Sequence, residues 1–255
     1  MPGNILTGYE PQFDFPARRG APGLGYLLAT VPRTGSTFVS HLLWQTGCLG
    51  APLEYLNFET AGPFGAANGD PAAQQALWAD VLAHRTSPNG VFGIKCFPMQ
   101  LQDLVRSNPP LLASIMSTLL PRGRAPRIVH LRRRDRLAHC ISYARATLSG
   151  VWRQDQERPG AEEPAYSDEA LAAAERAIRV QEQGWEQMFG ELGIAPFELW
   201  YEDAMVDPEA TAQSVAAYLG VTLQPGAEVE VPPIRRQSQA GAQAWAEQHE
   251  RAKGA

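Results

Sequence analysis

The chain has 255 residues, 44% of them hydrophobic and 19% charged, with a net charge of −5. That length suits a single domain over 1–255 that buries roughly 70–75% of its unfolded surface. The acidic balance argues against a broad hold on nucleic acid or anionic membrane, and no apolar run reaches the roughly 18–20 residues of a membrane span.

Residues 1–23 read as an irregular segment without the charged-then-apolar order of a secretory signal. A first buried strand is expected over Tyr26–Val31, followed by the turn Pro32-Arg33-Thr34-Gly35-Ser36-Thr37 and a helix over Ser36–Gly47. Strand, tight polar loop and helix N-terminus in that order make an anion site. The first amides of a helix lack intrahelical partners and carry the positive end of the macrodipole. Gly35 permits close approach, Ser36 and Thr37 add hydroxyl donors, and Arg33 brings a permanent forked charge. The plain alternative is a strand-to-helix turn capped by Ser36 or Thr37. A nucleotide triphosphatase loop, G-x-x-x-x-G-K-[ST], is not present. Ser36 follows Gly35, Gly25 has the wrong spacing, and the chain holds two lysines, Lys95 and Lys253.

Beyond this loop, Thr60–Pro71 reads as irregular, Ala72–Arg85 as helix and Val91–Phe97 as a second strand. Lys95, at the end of that strand, is a candidate active-site cation, with a snorkelling surface lysine the equal alternative. A third strand, Arg127–Leu131, leads into Arg132-Arg133-Arg134 and a helix over Arg134–Val151. On one continuous helix Arg134 and Ser142 are about 80° apart and face one ligand group. A guanidinium and a hydroxyl so placed form a second candidate phosphate site, against the alternative of a solvated arginine run. The acidic, proline-interrupted Gln154–Pro164 is expected as a surface loop. A helix over Glu169–Leu192, a strand over Phe197–Tyr201, a helix over Pro208–Leu219 capped by Gly220, and a tail over 232–255 complete the chain.

Strands alternating with helices imply an α/β fold, a central mainly parallel sheet covered on both faces, with ligands at the carboxyl ends of its strands. Two anion sites at two such ends suggest a ligand with two separate phosphate groups. The three cysteines, Cys48, Cys96 and Cys140, lack metal-ligand spacing and suit a reducing cytoplasm.

With these residues in view the chain resembles the PAPS-dependent sulfotransferases, and most closely the trehalose 2-sulfotransferase family. PAPS is 3′-phosphoadenosine-5′-phosphosulfate. PRTGST (Pro32–Thr37) is similar to the family's 5′-phosphosulfate loop, and Arg134-x7-Ser142 to its 3′-phosphate pair. TGCLGAPLEYL (Thr46–Leu56), FGIK (Phe92–Lys95), VWR (Val151–Arg153), YEDAMVDPEA (Tyr201–Ala210) and RRQSQAGAQAW (Arg235–Trp245) follow its pattern in order. His139 and Cys140 stand where the family commonly has glutamine and alanine.

The resemblance implies the P-loop-like, three-layer sulfotransferase fold and transfer of a sulfuryl group from PAPS, without a metal, to a carbohydrate-like hydroxyl such as that of trehalose or a glycolipid. It implies Glu54 as general base, ahead of His41, His84 and His139. It places the donor on Arg33, Thr34, Gly35, Ser36, Thr37, Arg134 and Ser142, with Arg236 a further candidate, and suggests a homodimer. Trp152 and Arg153 are better site candidates than Trp44 or Trp200, which is expected in the core. The competing readings are a P-loop kinase, which would need ATP and Mg²⁺, and a nucleotide-binding regulatory protein without catalysis.

Overall fold

The computed structural model describes residues 6–157, 162–224, 229–233 and 239–254. Its strands are β1 (Leu24–Ala29), β2 (Val91–Cys96), β3 (Ile128–Arg132) and β4 (Phe197–Trp200). β2 is buried at every position and β1 at all but the first, which is why these segments read as unbroken apolar runs. All pairings are parallel, in the order β2-β1-β3-β4.

The helices are α1 (Ser36–Gln45), α2 (Pro71–His84), α3 (Pro98–Ser107), α4 (Pro109–Leu119), α5 (Arg136–Ser149), α6 (Asp168–Leu192), α7 (Tyr201–Val206), α8 (Pro208–Leu219) and α9 (Gln239–Gly254). One sheet face, with Tyr26, Leu28, Val129 and Leu199, packs on Val39 and Leu43 of α1 and Val215 and Leu219 of α8. The opposite face, with Leu27, Ile94 and Ile128, packs on Leu111 and Ile115 of α4 and Ile178 and Trp185 of α6. The result is the three-layer α/β arrangement expected.

Three departures from the sequence reading have local causes. Pro98 and Pro109 look like helix breakers but occupy first-turn positions of α3 and α4, where a missing N–H costs nothing. The Asn108 side chain caps α4 by accepting from the Leu111 amide at 3.2 Å. Part of the expected C-terminal tail is α9, which buries Trp245 and ties its indole N–H to the Pro164 carbonyl at 2.9 Å. Third, α5 starts at Arg136, because the Asp135 side chain accepts from the Ala138 amide at 2.9 Å and caps it. Arg132 ends β3, and Arg133 and Arg134 lie in the turn before that cap.

β1 is central. Its connection to β2 leads to one side and the next crosses back to β3, so β1 and β3 flank the point where strand order reverses. The crevice outside their carboxyl ends is where such sheets bind ligands. The turn 30–35 and the arginine turn 132–134 both open there.

Candidate active site

The turn after β1 is held from below. Thr30 donates its hydroxyl to the Leu131 carbonyl at 3.2 Å, while its own carbonyl accepts the Trp185 indole N–H at 2.7 Å. The Thr34 hydroxyl turns inward to the Val31 carbonyl, so it shapes the loop. His139, fully buried, lies 2.8 Å through Nε2 from the Pro32 carbonyl. A carbonyl only accepts, so Nε2 carries the proton, and burial lowers the imidazole pKa to about 4.

Arg33 is the one non-glycine among the described residues with a positive φ, 68°. Such backbone strain clusters at functional sites. Gly35 follows at φ 91°, and a Cβ there would fall 2.2 Å from the Tyr201 ring. Glycine is therefore required twice over, by conformation and by space. As N-cap of α1, Gly35 offers no side chain to the first amides. Ser36 is buried and Thr37 exposed at this end of the helix.

Two arginines meet at this loop. Arg33 donates through Nε to the Ser142 hydroxyl at 3.0 Å and through Nη1 to the Trp152 carbonyl at 2.7 Å. Arg133 donates to the Arg33 carbonyl at 3.2 Å and lies 5.2 Å over the Tyr201 ring. Burial, reinforced by the charges of Arg133 and Arg145, pushes the Arg33 pKa down to about 10. The Arg33 and Arg133 guanidinium groups thus lie beside a helix N-terminus without a side-chain cap, an arrangement whose charge suits an anion, while Arg145 is paired with Glu163 at 2.6 Å. Beside it a shallow hollow of about 320 Å³ is lined by Arg133, Asp135, Tyr201, Glu202 and Met205.

Arg134 does not join this cluster, contrary to the expected pairing with Ser142. Its guanidinium grips the Asp203 carboxylate with two bonds, the longer 2.8 Å, and stacks 4.8 Å over Trp200. Its amide and that of Asp135 donate to Glu202 at 3.1 Å. Because the helix starts at Arg136, the helical-angle argument for Arg134 does not apply. Ser142 meets Arg33 instead. Trp200 is half-buried between Arg132 and Arg134 rather than part of the core, whereas Trp44 is fully buried. Arg236 lies outside the described residues.

At the end of the neighbouring strand, Lys95 Nζ lies 3.4 Å from Glu54 Oε2, the two side chains 5% and 13% exposed. Lys95 is thus an inward cation, not a snorkelling one. Glu54 Oε1 accepts from Asn57 Nδ2 and Gln100 Nε2, both at 3.0 Å. The Glu54 amide donates to the Tyr9 hydroxyl at 3.1 Å. Burial, then the Glu54 charge, raises the Tyr9 pKa well above the ordinary phenol value. His41 is buried with Nδ1 3.1 Å from the Pro232 carbonyl, and burial with the Lys95 charge lowers its pKa to about 4. His84 pairs with Asp80 on the side chain's more exposed surroundings at 2.9 Å, on the last turn of α2. Trp152 is 37% exposed, edge-on to Tyr143.

Sequence reasoning did not single out Tyr9, Asn57 and Gln100, which surround Glu54, nor Arg133, which touches the loop. Gln100 had a local signal, as a glutamine three residues after the helix boundary, where its Oε1 accepts from the Phe97 amide at 3.0 Å. Tyr9 had none.

Residues 25–252 match the family model described as Stf0 sulphotransferase. The chain belongs to this family. It is therefore a sulfotransferase, and the matched span runs from β1, through both arginine turns, into α9. It is 26% identical over 257 residues to trehalose 2-sulfotransferase of Mycobacterium tuberculosis, covering 88% of this chain and 93% of that one. It is also 26% identical over 260 residues to trehalose 2-sulfotransferase of Mycolicibacterium smegmatis, covering 89% and 94%. Among solved structures, the sulfotransferase domain from the curacin biosynthetic pathway aligns with a TM-score of 0.46 at 14% identity, over 90% of this chain and 98% of that one. Among the described residues, no helix of this sulfotransferase is long and apolar enough to cross a membrane, and no three His, Cys, Asp or Glu side chains gather as metal ligands.

Proposed function

We propose that this sulfotransferase moves a sulfuryl group from PAPS to a hydroxyl of a carbohydrate acceptor of the trehalose type, leaving a sulfate ester and adenosine 3′,5′-bisphosphate. The observation that carries the donor half is the loop after β1, where Arg33 and Gly35 at positive φ lead into a helix N-terminus without a side-chain cap and Arg133 donates to the Arg33 carbonyl. The acceptor half is supported by the names of the two relatives. Three buried free thiols suit a reducing, cytoplasmic setting.

PAPS supplies a sulfur whose bond to the 5′-phosphate oxygen breaks as a bond to the acceptor oxygen forms. The chain's part is to hold, to deprotonate and to meet developing charge. The amides of residues 34–37 and the Arg33 guanidinium face the leaving phosphate, and removing one such donor typically costs ~10²–10³ in rate. Arg133 and Ser142 hold the 3′-phosphate, with Arg236 a further candidate, while Arg134 braces the turn through Asp203. Glu54 takes the acceptor proton. Oε1 accepts from two amide groups, so in this reading Oε2, which faces Lys95 at 3.4 Å, takes the proton. Once Glu54 is neutral, Lys95 has lost its counter-charge and meets the negative oxygens of the transferring group.

Calorimetric titration with adenosine 3′,5′-bisphosphate, without metal, tests the donor half. Wild type binds. Arg133→Ala weakens binding about 10–150-fold, the worth of a charged hydrogen bond, and Arg134→Ala by less than about threefold, because no direct contact is lost. Loss with Arg134→Ala alone would reinstate the Arg134–Ser142 pair. A wild type that prefers ATP with Mg²⁺ would overturn the donor reading.

A further inference from the structure

The donor and acceptor halves of the site lie on different strands, yet one short segment touches both. Trp152 offers its carbonyl to Arg33 Nη1 at 2.7 Å. The next residue, Arg153, donates from Nη1 to the Ala61 carbonyl at 3.1 Å, and Gln156 Nε2 reaches the same oxygen at 3.4 Å. The segment is stiffened from within. Gln156 Oε1 accepts from the Trp152 and Arg153 amides at 2.8 and 3.0 Å, and Asp155 takes Arg153 Nε and Nη2 at 3.0 and 2.9 Å. All three guanidinium nitrogens of Arg153 therefore have protein partners, which suits a brace better than a substrate contact.

On the far side, Ala61 leads into Gly62, whose backbone presses on Asn57. A Cβ at Gly62 would lie 2.2 Å from Asn57 Oδ1. The turn closes on itself where the Phe64 amide donates to the Asn57 carbonyl at 3.3 Å. Asn57 in turn gives its side-chain N–H to Glu54 Oε1 at 3.0 Å. A continuous line of hydrogen bonds and packing thus runs from Arg33, through residues 152–156 and the turn 57–64, to Glu54.

We propose that Arg153 is a positioning residue, tying the arginine of the donor loop to the turn that holds Glu54, so that filling the donor loop orders the acceptor side. This rests on the roles given above to Arg33 and Glu54. An anion at Arg33 fixes the plane of a guanidinium already bonded to the Trp152 carbonyl. The rigid 152–156 segment passes that restraint to Ala61. Donor and acceptor then bind with positive coupling, and coupling of this kind is reciprocal by thermodynamic necessity.

The test needs no acceptor. Amide hydrogen exchange across residues 57–64 is followed with and without saturating adenosine 3′,5′-bisphosphate, and affinity is measured by calorimetry. In wild type the bisphosphate slows exchange of this turn by about fivefold or more, the low end of typical coupling. Arg153→Met binds the bisphosphate within about threefold of wild type but loses the slowing. Arg153→Lys keeps a donor for Ala61 and retains the slowing, which separates loss of the tie from loss of the fold. Equal slowing in Arg153→Met, or bisphosphate binding by wild type with no change in the turn, overturns the coupling alone. A wild type that does not bind the bisphosphate overturns the donor reading and the coupling together.

Discussion

Replacing Glu54 by glutamine tests the acceptor chemistry and the electrostatics of the pair in one variant. Glu54 Oε1 accepts from two amide groups, so the new side chain must put its oxygen there. Its NH₂ then faces the Lys95 ammonium, 3.4 Å from Oε2 in the native pair. With Lys95 5% exposed, a buried charge loses its counter-ion, and breaking such a pair costs about 3–5 kcal/mol. Loss of a general base costs about 10²–10⁴ in rate, which is roughly 3–5 kcal/mol of barrier. The two effects separate in Glu54→Gln/Lys95→Met, which removes both charges. Its stability returns to within about 2 kcal/mol of wild type, since a buried pair exchanged for uncharged groups is often nearly neutral. Its activity does not return. The assay is sulfate transfer from PAPS to trehalose, alongside urea unfolding and bisphosphate titration to show an intact donor site. Near-normal turnover in Glu54→Gln with donor binding intact would refute the base assignment. A double variant as unstable as the single one would refute the charge argument.

Two further outcomes follow from the loop after β1. Gly35→Ala drives a methyl into the Tyr201 ring at 2.2 Å, at a φ of 91°; adding overpacking to left-handed strain gives a loss of about 2–5 kcal/mol, seen as abolished bisphosphate binding. Gly190→Ala, in helix α6 with open space around it, is the control and is neutral or stabilising by up to about 1 kcal/mol in unfolding experiments. His41 and His139 each have a native pKa near 4, below the ordinary histidine value of 6.5. The unfolded chain therefore binds more protons than the native one between these values, and stability present at pH 7 is lost as pH falls from 6.5 towards 4. At pH 5 the loss is about 2 kcal/mol per histidine. His139→Gln keeps a donor for Pro32 and removes its share; urea unfolding at pH 7 and pH 5 that shows equal acid loss in this variant would contradict the buried-neutral assignment.

The fold was legible where burial writes a local pattern. The parallel strands are continuous apolar runs, and the turn after β1 carries its glycine and hydroxyls in one unbroken stretch. What escaped was non-local. By helical angle, Arg134 stands against Ser142 when α5 is taken to begin there. Asp135 moves the helix start to Arg136, and Asp203, 69 residues on, claims the guanidinium. No spacing rule foretells that capture. Glu54 was nameable by resemblance, but its surroundings come from Tyr9, 45 residues upstream, and Gln100, 46 residues downstream. Pro98 and Pro109 hid two helices because proline punctuates a helix start as readily as it breaks one.

That asymmetry has a physical origin. An anion site can be made by backbone, and backbone geometry is set by neighbours in sequence: a strand, a glycine with positive φ, a helix N-terminus. Such a site is compact in the chain and carries its signature with it. A polyhydroxylated acceptor, as proposed above, would instead be surrounded by side chains, and the segments around Glu54, Lys95 and Tyr9 come from distant parts of the chain. Each depends on packing contacts far away in sequence. If the proposed brace at residues 152–156 joins the two halves, exchanging the 57–64 turn between relatives without a matching 152–156 segment leaves bisphosphate affinity intact and loses transfer.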